Sequence, residues 1–394
     1  MRIGIYHTGG PDWTGGERYV RNLLLALRHV PFAEPVFLAP ANKTERELAD
    51  WKDLGCEVLR VQSLSRWTPS WWLRQFARLT KRMDHDVWSE TFLKYHRIGV
   101  TYLRPCLGRV GAIPNISWVP DFQHLHLPYM FSQDDIEFRT TQILLAAQYS
   151  THIVLSSHQA YQDFAQLAPA HAQKGRVLQF VASVDPEVYR RDLSEASSRL
   201  GVPEKFFYMP NQFWRHKNHL VVVRALGLLK CMGQHVVVVC TGNTKDYRHP
   251  AYLQELNEAI RENGVGDRFV MLGMVPAEDV FALIRQSVAV LNPSLFEGWS
   301  TTVEEAKSIG KRVLLSDIPV HIEQAPPGAT YFSRTSQEDL AQKMLDLWRN
   351  IPPGPDLSME TAARDRLKSR LEECGRRFFE IALEASCSAT KGEA

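Results

Sequence analysis

Residues 291–317, LNPSLFEGWSTTVEEAKSIGKRVLLSD, decide the fold class of this chain. An apolar strand over 288–291 leads into a loop over 292–299, and a short helix then runs to Gly310. A second apolar strand follows over 312–315. Strand, helix and strand in this order are typical of an α/β protein with a parallel sheet.

The start of this helix carries strong capping signals. Ser300, Thr301 and Thr302 are good N-cap residues, and Thr301 with Glu304 and Thr302 with Glu305 each fit a capping box. The helix is therefore expected to begin at the carboxyl end of a strand, where its unpaired N–H groups and its positive dipole end favour phosphate. A diphosphate with a sugar on one side and a ribose on the other would suit such a site.

Two carboxylates, Glu297 in the loop and Glu305 in the helix, flank that point. Glu304 is explained by compensation of the helix dipole. A pair of carboxylates also fits the acid and base of a glycosidase. Hydrolysis is the less favoured alternative, because a loop and a helical turn separate the two residues beside a phosphate-type site.

The segment Phe296-Glu297-Gly298-Trp299, followed by Glu305 after seven intervening residues, resembles the Glu-x7-Glu motif of retaining GT-B glycosyltransferases, family 4 most closely. The Gly-Leu-Pro that is common in the family reads Ser300-Thr301-Thr302 here, which keeps the helix-capping character. The resemblance implies that Glu297 contacts the donor sugar and that Glu305 accepts hydrogen bonds from the ribose. It also implies that the residues between them border the donor: Gly298, Trp299, Ser300 and Thr301.

Length and composition bound the function. A chain of 394 residues predicts two domains, and 44% hydrophobic with 23% charged residues is ordinary for a globular enzyme. A formal net charge of +2 gives no support for nucleic-acid binding. The six cysteines show no CxxC spacing, so we expect neither a zinc site nor a disulfide framework but a reducing cytoplasm. No long apolar run occurs, which argues against secretion and membrane spanning.

The N-terminus predicts a nucleotide-type α/β domain. A short strand over 2–6 is followed by a glycine-rich stretch over 7–16 and a helix over 17–28. A glycine-rich stretch is also compatible with a simple turn. The resemblance implies that Gly15 and Gly16 approach the donor diphosphate.

Residues 67–83 form a basic, tryptophan-rich segment. As a helix it would place Trp72 and Phe76 on one face and arginines such as Arg78 away from it. Packing on its own domain and contact with a membrane surface both remain open. Membrane contact would suit a lipid-linked acceptor and a peripheral location on the inner face of the membrane.

Two histidines, His124 and His126, alternate with leucines, so both are expected to face one side. A metal site is disfavoured because no carboxylate or cysteine cluster accompanies them. The segment 116–131 resembles the acceptor-side loop of family 4, which implies roles for Asp121 and His124 beside the donor sugar. Pro120 stands where the family often has histidine, and which of the two histidines faces the sugar stays open.

The second domain opens with a strand over 206–209 and a loop with two cations, Arg215 and Lys217. Cations oppose the dipole at a helix start, so phosphate binding explains them better than a solvated helix end. The segment resembles the phosphate-binding Arg and Lys of the family, with Lys217 the better match. Asn211 stands where the family arginine is common, and we place it at the donor site.

Further strand ends complete the expected site. The strand over 269–272 leads into Gly273, Met274 and Val275, and the resemblance implies that their backbone contacts the base. A last helix with many arginines is expected to cross back to the first domain, as in GT-B enzymes. We therefore expect two Rossmann-like domains facing across a cleft: 1–190 on the acceptor side, with a C-terminal helix at about 372–394, and 191–371 for the donor.

The expected function is transfer of a hexose-type sugar, with retention, from a nucleotide diphosphate sugar to a saccharide or lipid-linked saccharide, in bacterial envelope polysaccharide or lipopolysaccharide synthesis. Neither a metal ion nor a further cofactor is expected. Two alternatives remain: a GT-B-fold nucleotide-sugar epimerase and a non-catalytic nucleotide-sugar binding protein. The motif glutamates and the Lys217-Asn218 element argue against both.

Overall fold

The computed structural model describes residues 1–9, 14–62, 72, 87–104 and 113–391. The chain divides into two compact units. Unit 1 comprises Met1–Phe122, Gln133–Val181 and Lys368–Ala394, and unit 2 comprises Gln123–Ser132 and Ala182–Leu367. The main part of unit 2 begins at Ala182 rather than at 191 and ends at Leu367 rather than at 371. The inclusion of Gln123–Ser132 in unit 2 has no counterpart in the sequence-based division.

Unit 1 is built on a seven-stranded sheet in the order β3-β2-β1-β4-β5-β6-β7. Every pairing in it is parallel. The strands are β1 Arg2–Tyr6, β2 Glu34–Pro40, β3 Glu57–Val61, β4 Val100–Tyr102, β5 Asn115–Val119, β6 His152–Leu155 and β7 Gly175–Val177.

Helices lie between most of these strands along the chain, as is usual for parallel pairing. The described α-helices of unit 1 are Thr14–Leu27, Glu45–Lys52, Val87–Tyr95, Gln133–Tyr149 and His158–Leu167, with a 3₁₀ helix at Pro169–Lys174. The first helix begins at Thr14 rather than at residue 17. Gly15 and Gly16 therefore lie in its first turn and not in the preceding loop.

Unit 2 is built on a six-stranded parallel sheet in the order β10-β9-β8-β11-β12-β13. The strands are β8 Phe207–Met209, β9 Val238–Cys240, β10 Phe269–Met271, β11 Val290–Asn292, β12 Val313–Ser316 and β13 Ala329–Phe332. The expected strands over 288–291 and 312–315 thus correspond to β11 and β12.

Short helices flank the strands of unit 2. Its α-helices are Gln123–His126, Leu193–Leu200, His219–Cys231, Tyr252–Asn263, Ala277–Gln286, Thr301–Ile309, Pro319–Gln324 and Gln337–Asn350. Its 3₁₀ helices are Pro128–Met130, Pro186–Tyr189 and Arg215–Lys217.

Successive residues of these strands pack into different cores. Val238 and Cys240 belong to one cluster of buried residues, whereas Val239 between them belongs to a second cluster. The same alternation separates Leu314 from Val313. Because side chains alternate along a strand, the two clusters cover opposite faces of the sheet, which explains the uninterrupted apolar run of β9.

The last helix, Leu357–Lys391, belongs to both units, with Leu367 as its final residue in unit 2. In unit 1, Phe378 is buried edge-on against Tyr102, with ring centroids 4.8 Å apart. A side chain at Gly375 would meet the carbonyl oxygen of Ala26 at 2.3 Å, so this helix approaches the first helix backbone to backbone. The two Rossmann-like units and the return of the last helix to unit 1 confirm the expected GT-B architecture.

The basic segment over 67–83 lies outside the described residues except for Trp72, so its relation to a membrane stays a prediction. In the part of the chain that the structure describes, no helix combines the length and the apolar character that a membrane crossing needs.

Candidate functional site

The carboxyl ends of β8, β9, β10 and β11 lie at one edge of the second sheet because all its strands are parallel. The loops that follow these strands carry most of the predicted site residues. A largely buried ion pair lies between two of these loops: Lys217 Nζ is 2.6 Å from Glu297 Oε1, with exposed side-chain fractions of 15% and 9%.

The charge state of Glu297 follows from its surroundings. Burial opposes ionisation of the carboxyl, but the charge of Lys217, with hydrogen bonds from Lys217 and Ser294, outweighs it and lowers the pKa of Glu297. Ser294 Oγ donates to Glu297 Oε1 at 2.6 Å. The carboxylate is thus held ionised and in one orientation.

The local backbone explains the position of Lys217. It ends a 3₁₀ turn, and Asn218 follows in the left-handed region with φ 58°. The Asn218 amide donates to the carbonyls of Pro293 and Arg334, each at 3.2 Å. In addition, Leu295 N donates to the carbonyl oxygen of His216 at 2.8 Å. The loops after β8 and β11 are therefore tied together by backbone as well as by charge.

A chain of buried side chains lies beneath the ion pair. Asn292 Oδ1 accepts from Asn211 Nδ2 at 3.3 Å and also lies 2.7 Å from Ser294 Oγ, and Asn292 Nδ2 donates to Ser300 Oγ at 2.8 Å. Thr302 Oγ1 donates to Asn211 Oδ1 at 3.2 Å. Asn211, predicted at the donor site, links these loops from below.

The helix Thr301–Ile309 begins with Ser300 as its N-cap, whose hydroxyl accepts from Val303 N. The two predicted capping boxes are wrong, because Thr301 and Thr302 already lie inside the helix. Gly310 ends the helix in the left-handed region, as expected from the sequence. A buried helix start of this kind still presents first-turn N–H groups to an anion.

Gln324 supports the same helix start from a neighbouring helix. Its side chain accepts from Ser300 N at 3.2 Å and donates to the carbonyl of Ser300 at 3.0 Å. It also donates to Glu304 Oε1 at 3.3 Å. Glu304 therefore has a structural partner inside the protein. Glu305 is buried one residue further along, with 5% of its surface exposed.

A buried histidine, His321, lies near the loop that carries Glu297. His321 Nδ1 lies 3.0 Å from the carbonyl oxygen of Ser316, and Ser316 Oγ donates to the carbonyl of Ser294 at 2.6 Å. Burial lowers the pKa of His321 to about 4, although the charge of Glu297 acts in the opposite direction. The neutral imidazole can therefore donate from Nδ1 to Ser316 and fix the strand end that supports Ser294.

The two predicted phosphate-binding cations have different surroundings. Arg215 is exposed, with its guanidinium 3.7 Å from Glu255 Oε2, and its backbone N–H donates to Asp246. Lys217 instead lies against Glu297. A phosphate contact of Arg215 stays a prediction.

Two glycines bring the loops after β9 and β10 together. Gly242 has φ 142°, and its N–H donates to the carbonyl of Gly273 at 2.8 Å. A Cβ at Gly242 would lie 2.5 Å from the carbonyl oxygen of Asn211. Gly273 is followed by exposed Met274 and half-exposed Val275, so this loop is accessible at the strand ends, as a backbone contact with a base requires.

The two predicted histidines lie in the segment Gln123–Ser132 and have different surroundings. His124 is 1% exposed and edge-on to Phe131, whereas His126 is exposed and stacks on Phe296 with ring centroids 4.8 Å apart. The expectation that both face one side is wrong because they lie in a helix, Gln123–His126, where residues two apart point in nearly opposite directions. His126 is the histidine that contacts the residue before Glu297.

The predicted residues of unit 1 lie at two strand ends. Gly15 and Gly16 follow β1 in the first helical turn, and Asp121 follows β5. Their contacts with a donor or acceptor stay predictions. Among the described residues, no group of three or more histidines, cysteines, aspartates or glutamates is placed to hold a metal ion.

Four residues that take part in these contacts are not indicated by the sequence pattern. Asn292 and Gln324 serve the helix start, and Asp246 and Arg248 lie in the loop after β9. For Asp246 and Arg248 the available signal is their place after a buried strand, in the polar and aromatic run Asp246-Tyr247-Arg248-His249. No spacing within that run indicated which partners it would meet.

Comparison with known sequences gives one family match. Residues 191–365 match the sequence profile of the family described as Glycosyl transferases group 1. A comparison with curated protein sequences found no significant match.

Solved structures resemble the whole chain. A glycosyltransferase from Rickettsia africae has 17% identity and a TM-score of 0.67, covering 98% of each chain. HepE from Anabaena, solved with UDP and glucose, has 17% identity and a TM-score of 0.64, covering 99% of this chain and 100% of its own. WaaG, described as a glycosyltransferase involved in lipopolysaccharide biosynthesis, has 12% identity and a TM-score of 0.57, covering 99% and 100%. The chain thus has the GT-B fold, and residues 191–365 of it form a domain of the Glycosyl transferases group 1 type.

Proposed function

We propose that this protein transfers a sugar from a nucleotide diphosphate sugar to a hydroxyl group of a saccharide, with retention at the anomeric carbon. The observation that carries the proposal is the buried Lys217–Glu297 pair at the carboxyl end of the second sheet, beside the start of the helix Thr301–Ile309. In this proposal the cation of the pair binds the diphosphate and its carboxylate binds the sugar.

The reaction breaks the bond between the anomeric carbon and a diphosphate oxygen and forms a bond from that carbon to the acceptor oxygen. The electron pair of the broken bond stays on the departing diphosphate, and the acceptor proton passes to that phosphate. Lys217 and the helix N–H groups stabilise the charge that develops there. Because both are fixed by packing before the reaction, little reorganisation is needed.

The two motif glutamates take different roles in the proposal. Glu297 is ionised and accepts hydrogen bonds from donor sugar hydroxyls, and its orientation is set by Ser294 and Lys217. Glu305 accepts from the ribose hydroxyls. Neither acts as a nucleophile, and the chemistry proposed here uses no metal ion and no further cofactor.

The donor and acceptor classes are proposed from the relatives. HepE was solved with UDP and glucose, so UDP-hexoses are the first donors to test. WaaG is described as acting in lipopolysaccharide biosynthesis, so the proposed acceptor is a saccharide, free or lipid-linked, of a bacterial envelope polymer. A peripheral membrane location would fit a lipid-linked acceptor.

A thermal-shift panel of UDP, GDP, dTDP, ADP and CMP, with and without EDTA, tests the nucleotide part. A ligand at 100 times its Kd stabilises by about 2.7 kcal/mol, which such an assay detects. One nucleoside diphosphate standing out, insensitive to EDTA, supports the proposal. A flat panel contradicts it. With the identified donor, NMR of the product's anomeric proton then decides between retention and inversion.

A further inference from the structure

Arg248 lies in the loop after β9, and its largely buried guanidinium is surrounded by aromatic rings. The guanidinium carbon is 5.2 Å from the ring centroid of Phe131 and 5.2 Å from that of Trp214. Asp246 Oδ1 lies 3.7 Å from Arg248 Nε and balances its charge. A planar cation that lies over aromatic faces and has a neighbouring carboxylate is held in one orientation.

One side of this guanidinium binds the segment Gln123–Ser132. Arg248 Nη1 donates to Gln123 Oε1 at 2.8 Å, while Phe131 packs near the other end of the segment. The next residue, His249, adds a contact from its Nε2 to the carbonyl oxygen of Met130 at 3.1 Å. Both ends of the segment are therefore attached to the loop after β9.

The other side of the guanidinium binds the loop that carries Lys217. Arg248 Nη2 lies 3.3 Å from His216 Nδ1. Burial, with the charges of Lys217 and Arg248, lowers the pKa of His216 well below its usual range, so the imidazole is neutral and Nδ1 accepts this hydrogen bond. One guanidinium thus connects the segment to the Lys217 loop.

We propose that Arg248 is a positioning residue that holds His126 and Lys217 in their places at the same time. The ends of the segment are fixed by Arg248 and His249, and between them His126 stacks on Phe296, next to Glu297. Loss of the guanidinium would release both the segment that carries His126 and the loop that carries Lys217. The kinetic consequence rests on the proposed function, whereas the attachment of the segment does not.

Hydrogen–deuterium exchange tests the attachment in the full chain without any ligand. Arg248→Met is compared with Arg261→Met, a matched loss of an exposed arginine in the same unit. We expect exchange over 123–132 to rise about tenfold or more in Arg248→Met, because local opening becomes easier, and to stay at the wild-type rate in the control. Wild-type exchange over 123–132 in folded Arg248→Met overturns the proposal.

Gln123→Leu provides a second variant in case Arg248→Met does not fold. It removes the segment's hydrogen bond to Nη1 and leaves Asp246, Trp214 and His216 around the guanidinium. Increased exchange confined to 123–132 supports the proposal. Unchanged exchange in Gln123→Leu contradicts it.

Kinetics then separate positioning from a purely structural role. With a working donor, we expect kcat of Arg248→Met to fall about a hundredfold, because a displacement of about 1 Å has an effect of this size, and donor KM to change much less. Arg248→Lys should not restore kcat, since an ammonium group lacks the planar fork. Wild-type kcat in a variant with raised exchange contradicts the positioning role. A wild-type enzyme without transfer activity contradicts the proposed function instead and leaves the exchange result valid.

Discussion

Lys217 and Glu297 are 80 residues apart in the chain, yet their side chains form a largely buried ion pair with Nζ and Oε1 2.6 Å apart. β8 and β11 are neighbours in the sheet, so the loops that follow them are adjacent. The pair fixes the position of a cation and of a carboxylate with one contact.

Loss of this cation should reduce turnover. We expect Lys217→Met to lower kcat about 10²- to 10³-fold, as the removal of one preorganised charge-stabilising group does. Lys245→Met is the matched control, because Lys245 is an exposed cation in the neighbouring loop after β9. Steady-state kinetics with the identified donor measure both. Equal rates in the two variants would exclude Lys217 from leaving-group stabilisation.

The ion pair should also show energetic coupling. Breaking a buried pair from either side leaves an uncompensated group, so Lys217→Met and Glu297→Gln should each lower the free energy of unfolding by about 3 kcal/mol. The loss of unfolding free energy in the double variant should be smaller than the sum of the two single losses, by about 1 kcal/mol or more. Urea denaturation of the four proteins gives this cycle, and strict additivity would show that the pair is not coupled.

The two histidines of the segment should behave differently. His126→Gln should lower kcat about tenfold or more and leave the melting temperature near its wild-type value, because His126 is exposed at the glutamate loop. His124→Gln should lower the melting temperature, because His124 is packed inside with 1% exposure. Calorimetry and kinetics on both variants decide, and the reverse pattern would return His124 to the site.

Gly242 should tolerate no side chain. Gly242→Ala places a Cβ 2.5 Å from the carbonyl oxygen of Asn211 at φ 142°, and should lower the free energy of unfolding by about 2 kcal/mol or more. Gly233→Ala is the control, since it has φ 70° and no heavy atom within 4 Å of its added Cβ. It should lose only about 1 kcal/mol from backbone strain. Chemical denaturation compares them, and equal losses would mean that the close approach to Asn211 relaxes.

Stability should fall on acidification because buried histidines of unit 2 must remain neutral. Burial lowers the pKa of His321 to about 4 and that of His219 to about 3. The unfolded chain, with histidine pKa values of about 6.5, binds more protons than the folded chain below that pH. The stability they contribute is therefore complete above pH 6.5 and is lost as the pH falls towards about 4 for His321 and about 3 for His219.

His321→Asn removes one of these titrations. Its free energy of unfolding should depend less steeply on pH between about 6.5 and 4, by about 1.4 kcal/mol per pH unit. Denaturation at a series of pH values measures the slope. An unchanged slope would show that His321 does not have the lowered pKa.

The parts of the fold that depend on local signals were predictable. The strand over 2–6, the end of a helix at Gly310 and the alternation of strands and helices follow from apolar runs and capping residues. The absence of the two capping boxes was not predictable, because Ser300 competes for the N-cap position and its partner Gln324 comes from another helix. Local sequence cannot tell which of three adjacent hydroxyl residues a distant side chain will support.

The sequence indicates Lys217 and Glu297 as separate candidates for the site, but not that they contact each other. Their direct contact depends on the strand order of the sheet. Arg248 was missed, since its partners Gln123 and Phe131 come from a segment more than one hundred residues earlier. Contacts of this kind arise from topology, which residue spacing does not encode.

The last helix also affects the order in which the protein can fold on the ribosome. Residues of unit 1 leave the ribosome first, but the core of that unit includes Phe378, and its first helix is covered at Ala26 by Gly375. Those residues are synthesised only after the whole of unit 2. Unit 1 therefore stays incompletely packed while nearly half of the chain is translated. Unit 2 can complete its own core before unit 1 does.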